Sequence, residues 1–429
     1  MKRNEAGADN LPGGSMGWPI LGETIGYLKP HKSNTIGTFL EQHCWRYGKV
    51  FKSHVFGSPT IISCSLELST FVLQNEGRLF ESSYPKPVKN IVGHWSLMIV
   101  HGELHKKLRS VEVDFINSFK SSRHFAGHIQ NLSSSLMESW KGKQQIHLFQ
   151  EAKAFSFNVM LKCLFDMAPG DPLAVKLFQD FLTFMEGFVS LPLNLPGTTF
   201  AKAMKARRRV ASTFKDILNE KGKRKSEEWG NDNEDSFADS IVGNDCLKEE
   251  EKVSVLFDLL LAGYETTSGL IALTAYFLAQ TPLALQQLKV INETLRCGNL
   301  VKFVHRKAIK DVEFKGYRIP AGWKVLPILS AVNLDPSLHK NPHQFNPWRW
   351  NDPGVSKNVI PFGGGIRICP GAEIGKLEVS ILLHYLVQSF RWKTKKDDHP
   401  FSYPYLAFKR GLVLDIEHIQ LEGNDNGQQ

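Results

Sequence analysis

Residues 249–280 repeat apolar side chains at helical spacing with no proline, the longest such stretch in a chain of 429 residues. At the α-helical rise this stretch is a rod of about 48 Å. That length crosses a whole domain, so the rest of the chain has to wrap around it. From about 66 to 290 nearly everything else reads as helix, broken at Gly93, at Pro169-Gly170 and over Leu191 to Thr198. Residues 33–50 read as a further helix, with Ile36, Phe39, Leu40 and Trp45 as its apolar positions. Val50–Val55 and Pro59–Cys64 alternate and are β-branched, with Gly57-Ser58-Pro59 between them, which predicts a hairpin at one edge of a sheet. Residues 300–330 predict short strands with turns at Gly316 and Pro320-Ala321-Gly322. The expected fold class is mainly α, in α+β form: a helix-rich body with small β-sheets. Lys221 to Asp235 is charged, contains glycine and lacks an apolar period, so it is expected to be a flexible surface connection. Glu422–Gln429 is expected to be a disordered tail.

The net charge is +9, from 52 Lys+Arg against 43 Asp+Glu. A basic surface suits nucleic acid, an anionic membrane or an acidic partner, and no nucleic-acid motif accompanies it. Its densest run is Lys202, Lys205, Arg207, Arg208 and Arg209, which reads as a solvated helix face or as a patch for a membrane surface or redox partner. The six cysteines (44, 64, 163, 246, 297 and 369) contain no C-x-x-C, which argues against a disulfide framework and a zinc site and fits a reducing compartment. There is no run of about 18 apolar residues, so no transmembrane helix is expected, and Met1–Asn10 lacks a signal-peptide core.

One cysteine stands apart. Phe362-Gly363-Gly364-Gly365-Ile366-Arg367-Ile368-Cys369-Pro370-Gly371 packs glycines, an arginine and a thiol into a turn that leads into a helix. A thiolate in such a turn can be the axial ligand of haem iron. Glycine lets a backbone approach a flat macrocycle and tolerates positive φ. Arg367 can pair with a haem propionate through its planar fork. A helix start after Pro370 aims backbone N–H groups at the sulfur and favours its charged form. Within the long helix, Ala262-Gly263-Tyr264-Glu265-Thr266-Thr267 sets two small residues beside an acid and a hydroxyl. The small pair opens a groove that a flat cofactor or O2 can approach, and Thr266 can bond back to a carbonyl one turn earlier.

The pattern Phe-x-x-Gly-x-Arg-x-Cys-x-Gly matches at every position the haem-binding signature of the cytochromes P450, and the protein resembles that superfamily over almost its whole length. A length-based prior allows two or three domains; the resemblance implies one P450 domain over residues 11–421, preceded by a polar remnant at 1–10. It implies haem b with Cys369 as the iron's axial ligand, O2 as co-substrate and electrons from NADPH through a reductase. It makes Thr266 the hydroxyl that steadies bound oxygen and its water, and Glu265 the acid that relays protons. Phe362, Gly371, Ala262 and Gly263 then border the haem. His105 and Arg109, one helical turn apart, resemble the propionate-pairing pattern of the family's C helix, and Arg306, with His305 beside it, lies where another propionate contact falls. Glu293, Arg296 and Arg349 resemble the family's buried Glu-Arg-Arg triad, which locks the segment preceding the cysteine to the core.

The segments Gly17–Thr24, Gly48–Ser53, Ile291–Asn299 and Pro361–Glu373 resemble the plant steroid-oxidising P450s of brassinosteroid biosynthesis, and Tyr27–His31 with Phe188–Gly197 resembles the C-22 hydroxylase branch. This implies C-22 hydroxylation on the side chain of a plant steroid, or oxidation of another plant terpenoid. It also implies NADPH-cytochrome P450 reductase as partner, and a place on the cytosolic face of the endoplasmic reticulum membrane. Leu11–Pro19 resembles the hinge that follows the family's membrane anchor, so the sequence is expected to start just before that hinge. Candidate pocket walls are Val92, Trp95, Leu97, Phe188–Leu195, Leu259, Ala262, Val301, Phe303 and Leu406–Phe408.

The sequence departs from its relatives at one place. Thr266 to Glu293 spans 27 residues (293 − 266), about half of what plant P450s place there. Gln287-Leu288-Lys289-Val290 looks like the join of a deletion, expected near 287–290. The connection could therefore fail to bring Glu293 beneath the haem, which leaves a non-catalytic splice-type variant as a rival reading. A P450 isomerase or dehydratase of peroxides is disfavoured, because such chemistry has no need of the Glu265–Thr266 pair.

Overall fold

The computed structural model describes residues 10–19, 21–120, 123–227, 236–286, 289–403 and 405–419. The remnant at 1–9, the first half of the 287–290 join and the tail beyond 419 lie outside the described residues. Within them the α-helices run in order α1 (Thr24–Tyr27), α2 (Thr38–Tyr47), α3 (Leu66–Gln74), α4 (Lys86–Val92), α5 (Gly102–Lys120), α6 (Arg123–Trp140) and α7 (Leu148–Phe165). They continue as α8 (Pro172–Met185), α9 (Thr199–Glu227), α10 (Phe237–Val242), α11 (Glu249–Gln280), α12 (Val290–Gly298), α13 (Leu329–Asn333) and α14 (Ala372–Ser389).

The long helix α11 is the axle. Three acids, Glu249–Glu251, occupy its first turn, and Glu251 accepts the Lys248 backbone N–H at 2.9 Å and Lys107 Nζ at 2.7 Å. Both contacts complement the positive end of the helix dipole. Farther along, Leu270 to Ala275 are buried on every side, the pattern of a helix enclosed by others. Its neighbours include α7, which lies along it most extensively, and α12, α14, α9 and α5. It is long and apolar enough to cross a membrane, but 67% of its apolar window is buried inside the protein, so it is a core helix.

The largest sheet has five strands. Val50–Val55 pairs antiparallel with Ser58–Ser63, which runs parallel to Lys324–Pro327; Arg306–Ala308 and Phe80–Ser82 complete it. The expected edge hairpin is present with a tighter turn, Phe56-Gly57, both at positive φ (54° and 71°). That conformation matches the twist of two-residue hairpins. Arg306 is thereby fixed on a sheet strand.

Three expectations from the sequence need correction. Trp45, expected on the buried face of its helix, is 86% exposed, and Leu40 carries the burial. The charged stretch from Lys221 is helix as far as Glu227, because Lys, Arg and Glu extend a helix already anchored by Phe214, Ile217 and Leu218; residues 228–235 lie outside the described ones. The basic run 202–209 is not wholly a solvated face. Arg207 turns inward, donating to Val92 O at 3.0 Å over the ring of Phe257, and Arg209 pairs with Asp180 at 2.6 Å.

Glu378 on α14 yields a test of the core. It is buried, Oε1 has no hydrogen-bond partner, and the Ser156 hydroxyl beside it makes no well-formed bond. Burial pushes its carboxyl from 4.5 up to about 8. The folded state therefore holds a proton that the unfolded polypeptide releases above about pH 4.5. Stability should fall as pH rises from about 4.5 to 8, by at most a few kcal/mol, and Glu378→Gln should flatten that slope in urea titrations. An unchanged slope would contradict the assignment.

Candidate active site

The decamer around Cys369 forms a loop closed by Cys369 N–H donating to Phe362 O at 3.1 Å, and α14 follows. Gly363 and Gly365 hold positive φ (72° and 67°). The reason at Gly365 is packing against α3: an added Cβ would lie 1.9 Å from Leu73 O. Gly371 is the N-cap of α14, and its N–H favours the charged form of the Cys369 sulfur. Among the described residues, a Cβ on Gly371 would meet only Ile374, at 3.9 Å, so none of them fills the space over it. From α5, Arg109 Nη2 donates to Ile368 O at 2.7 Å, and from α11 Thr267 Oγ1 lies 3.6 Å from the Cβ position of Gly375. Cys369 thus stands where α5, α11 and α14 converge. Its thiol is raised above the ordinary value because burial outweighs the Gly371 N–H and the Arg109 charge. It is nevertheless solvent-accessible, as are Ile366 and Ile368.

On α11, Ala262 and Thr266 keep accessible surface although Tyr264, Thr267 and Ser268 around them are buried. Their i, i+4 spacing puts them on one face, and Thr266 Oγ1 donates to Ala262 O at 2.7 Å. Gly263 belongs elsewhere: its Cβ would sit 2.4 Å from Met160 Sδ, so this glycine lets α7 approach α11 and does not border the Ala262–Thr266 face. Burial raises the Glu265 carboxyl against the opposing charge of Lys153.

Four basic groups face one another below. His105 is buried with Nε2 unpartnered, and its pKa is lowered to about 4 by burial and by the charges of Arg367, Arg109, His101 and Arg306. Arg367 donates from Nε to Glu76 at 2.7 Å, and from Nη1 and Nη2 to Leu97 O and Val100 O at 2.6 Å each. Arg306 is ion-paired through Nε with the same carboxylate, and its Nη1 donates to His305 O at 2.9 Å. His305 is no part of this cluster. Its ring packs against Phe56, Tyr84 and Phe303, which makes it a core aromatic instead of the expected propionate contact.

Glu293, Arg296 and Arg349 come together despite the short connection. Glu293 Oε1 accepts Arg296 Nη2 at 2.8 Å, Arg349 Nε at 2.9 Å and Asn346 N–H at 3.0 Å. Oε2 accepts Arg296 Nε and Trp350 Nε1, both at 2.9 Å. Arg296 Nη1 adds Asn333 O and Pro342 O at 2.8 Å.

A sequence profile described as Cytochrome P450 matches residues 12–289 and 288–422, two blocks that meet at the short connection. The protein belongs to the cytochrome P450 family. Cytochrome P450 724B1 of Oryza sativa subsp. japonica is 46% identical over 446 residues, 95% of this protein and 92% of the relative. Cholesterol 22-monohydroxylase CYP90B52 of Paris polyphylla is 40% identical over 96% of this protein and 94% of its own length. Steroid (22S)-hydroxylase of Oryza sativa subsp. japonica is 38% identical, over 96% and 88%. In fold, the retinoic acid-bound cyanobacterial CYP120A1 superposes with a TM-score of 0.83 at 23% identity, covering 96% of this protein and all of that one. This P450 is accordingly a monooxygenase that uses haem b, O2 and NADPH-derived electrons delivered by a redox partner.

The residues present fit that cofactor. Arg306 and Arg367 share one carboxylate, Glu76, and Arg109 adds a third guanidinium near His105, which leaves two positive charges to meet the two carboxylates of haem b. His105 Nε2 is an orphaned buried polar atom at the same place, and the uncovered glycine at 371 leaves room beside the sulfur.

The pocket walls sort less evenly. Trp95, Leu97, Ala262, Val301 and Leu406 keep accessible surface, whereas Val92, Leu259 and Phe408 are core and Phe303 packs on Tyr27 and Phe56. Leu191 and Leu195 face outward, 76% and 60% exposed. Two contributors had no signal in the sequence. Glu76 belongs to no motif. Asp258, one helical turn before Ala262, accepts Ser96 Oγ at 2.7 Å and Leu97 N–H at 2.6 Å and so fixes a pocket wall; burial pushes its carboxyl to about 7.

Proposed function

We propose that this P450 hydroxylates the side chain of a plant steroid at C-22, a step of brassinosteroid biosynthesis, with Cys369 as the thiolate ligand of the haem iron. The observation that carries the substrate class is the 38–40% identity, over 96% of the protein, to enzymes named cholesterol 22-monohydroxylase and steroid (22S)-hydroxylase. Bound through Cys369, haem b supplies the redox-active iron at which O2 is activated. The protein's own residues do the rest. Gly371 N–H steadies charge on the sulfur. His105, Arg109, Arg306 and Arg367 orient and neutralise the haem carboxylates. Thr266 holds a hydroxyl on the accessible face of α11, and Glu265 moves protons toward it. Ala262, Leu97 and Leu406 present apolar surface suited to a mostly hydrocarbon ligand. NADPH-cytochrome P450 reductase is the proposed electron donor. Exposed Trp18, Ile25 and Leu191 suit contact with the cytosolic face of the endoplasmic reticulum membrane.

The test is turnover of purified protein with reductase and a C-22-unsubstituted sterol such as cholesterol. A low-spin to high-spin shift on sterol addition and a product hydroxylated at C-22 are expected; hydroxylation elsewhere, or none, refutes the assignment. Thr266→Ala should keep the thiolate-type absorption of the reduced CO complex, lower product formation about tenfold or more and raise NADPH consumed per product. Equal coupling in the variant would remove Thr266 from proton delivery.

A second reading, a non-catalytic splice-type variant, draws on the 27 residues from Thr266 to Glu293 (293 − 266) and on the profile match that breaks there. Absence of haem from purified protein would select it.

A further inference from the structure

We infer that Glu76 is a positioning residue that presets Arg306 and Arg367 for the carboxylates of haem. The inference rests on the reading that those two arginines meet the cofactor, and it adds what holds them there.

Glu76 follows α3 in a tight turn in which the Asn75 carbonyl accepts the N–H groups of Arg78, Leu79 and Phe80 at 3.0–3.2 Å. Its side chain is 3% exposed. Oε1 accepts Arg367 Nε at 2.7 Å and Ser82 N–H at 2.9 Å, and Oε2 pairs with Arg306 Nε. One carboxylate thereby ties the turn after α3, the Arg306 strand and the cysteine loop, whose arginine lies 291 positions away.

The two guanidiniums are 4% and 10% exposed and face the same point. Without a counter-charge each would lose hydration and repel the other. Glu76 engages both arginines along their Nε edge. With Arg367 Nη1 and Nη2 and Arg306 Nη1 each also bonded to a backbone carbonyl, the rotamers are fixed, while Arg306 Nη2 and the second N–H groups of Arg306 Nη1 and Arg367 Nη1 are left for an incoming dianion, so little side-chain entropy is lost when the cofactor arrives. The single negative charge also sets the local field. With Glu76 the three-arginine cluster carries two excess positive charges, and without it three.

The protein is loaded with haem as the wild type, as Glu76→Gln and as Glu76→Asp. Three readouts are taken: the ferric–ferrous midpoint potential, the rate of haem transfer to excess apomyoglobin, and the CO-complex spectrum. Glu76→Gln keeps the shape and removes the charge, so it should raise the midpoint potential and speed haem loss about tenfold. Glu76→Asp should restore the potential and leave an intermediate loss rate. Wild-type potential and loss rate in Glu76→Gln would overturn the proposal. So would faster loss without a potential shift, which is the mark of a merely structural residue. If Glu76→Gln gives no folded protein, Glu76→Asp decides: faster haem loss with an unchanged melting temperature of the haem-free protein supports positioning, and a wild-type loss rate, or faster loss that accompanies a lowered melting temperature, overturns it. A wild-type protein without thiolate-type CO absorption would instead defeat the underlying site, whatever Glu76 does.

Discussion

Glu293→Ala should yield protein that melts far below the wild type and retains little or no haem. Glu293 and Arg296 are fully buried, and both carboxylate oxygens are committed to Arg296, Arg349, Trp350 and the Asn346 N–H. Truncation leaves the Arg296 guanidinium in the interior without its counter-charge. Removing one partner of such a pair costs about 3–5 kcal/mol, a large part of the roughly 5–15 kcal/mol that holds a typical domain folded. The loss would fall on the segment 340–350, which Arg296 and Arg349 bind through the carbonyls of Lys340, Asn341, Pro342 and Gln344 and which leads to the cysteine loop. The pH dependence follows from the same contacts. Burial alone would raise the Glu293 carboxyl, but Arg296, the Asn346 N–H and Arg349 outweigh it and hold it below 4.5. The cluster's contribution is therefore complete above about pH 4.5 and is lost as pH falls through the depressed value. Wild-type melting temperature and haem content in Glu293→Ala would defeat this account.

Cys369→Ala should behave in the opposite way: a folded protein without function. The bond closing the loop is between backbone groups, Cys369 N–H and Phe362 O, and Gly371 still caps α14, so neither depends on the sulfur. Circular dichroism and melting of the cofactor-free protein should match the wild type. The thiolate-type band of the reduced CO complex should vanish, and sterol oxidation should fall below detection. The free thiol is raised by burial, and a bound metal ion would reverse that by favouring the deprotonated form. A Cys369→Ala protein with the same CO band and turnover would end the proposal that this sulfur ligates iron.

Legibility in the sequence followed the range of the interactions. Helix α11 spans the residues its periodicity gives, because eighteen apolar side chains in one proline-free run leave little choice. The hairpin from Val50 was legible for the same local reason, down to its glycine. The join near 287–290 raised the expectation that Glu293 could be misplaced, yet the carboxylate meets both arginines. Closure of a connection depends weakly on its length, whereas a buried ion cluster strongly favours the one arrangement that satisfies it.

The roles of the glycines and basic residues show the limit. Gly263 and Gly365 are glycines because Met160 and the Leu73 carbonyl press on them, and a motif does not say which neighbour demands the missing side chain. His305 and Arg306 are adjacent in sequence, yet strand alternation sends one into an aromatic cluster and the other to Glu76.

By itself the amino-acid order determined the local elements and the motif frame around Cys369, since helix period, turn chemistry and glycine placement act within a few residues. The tertiary structure decided which charges meet. Glu76 joins Arg306 and Arg367 only after α3, the sheet and the cysteine loop have packed. A lone Glu between Asn75 and Gly77 carries no trace of that in sequence, because pairing of buried charges depends on distance and desolvation in space and on nothing local to the backbone.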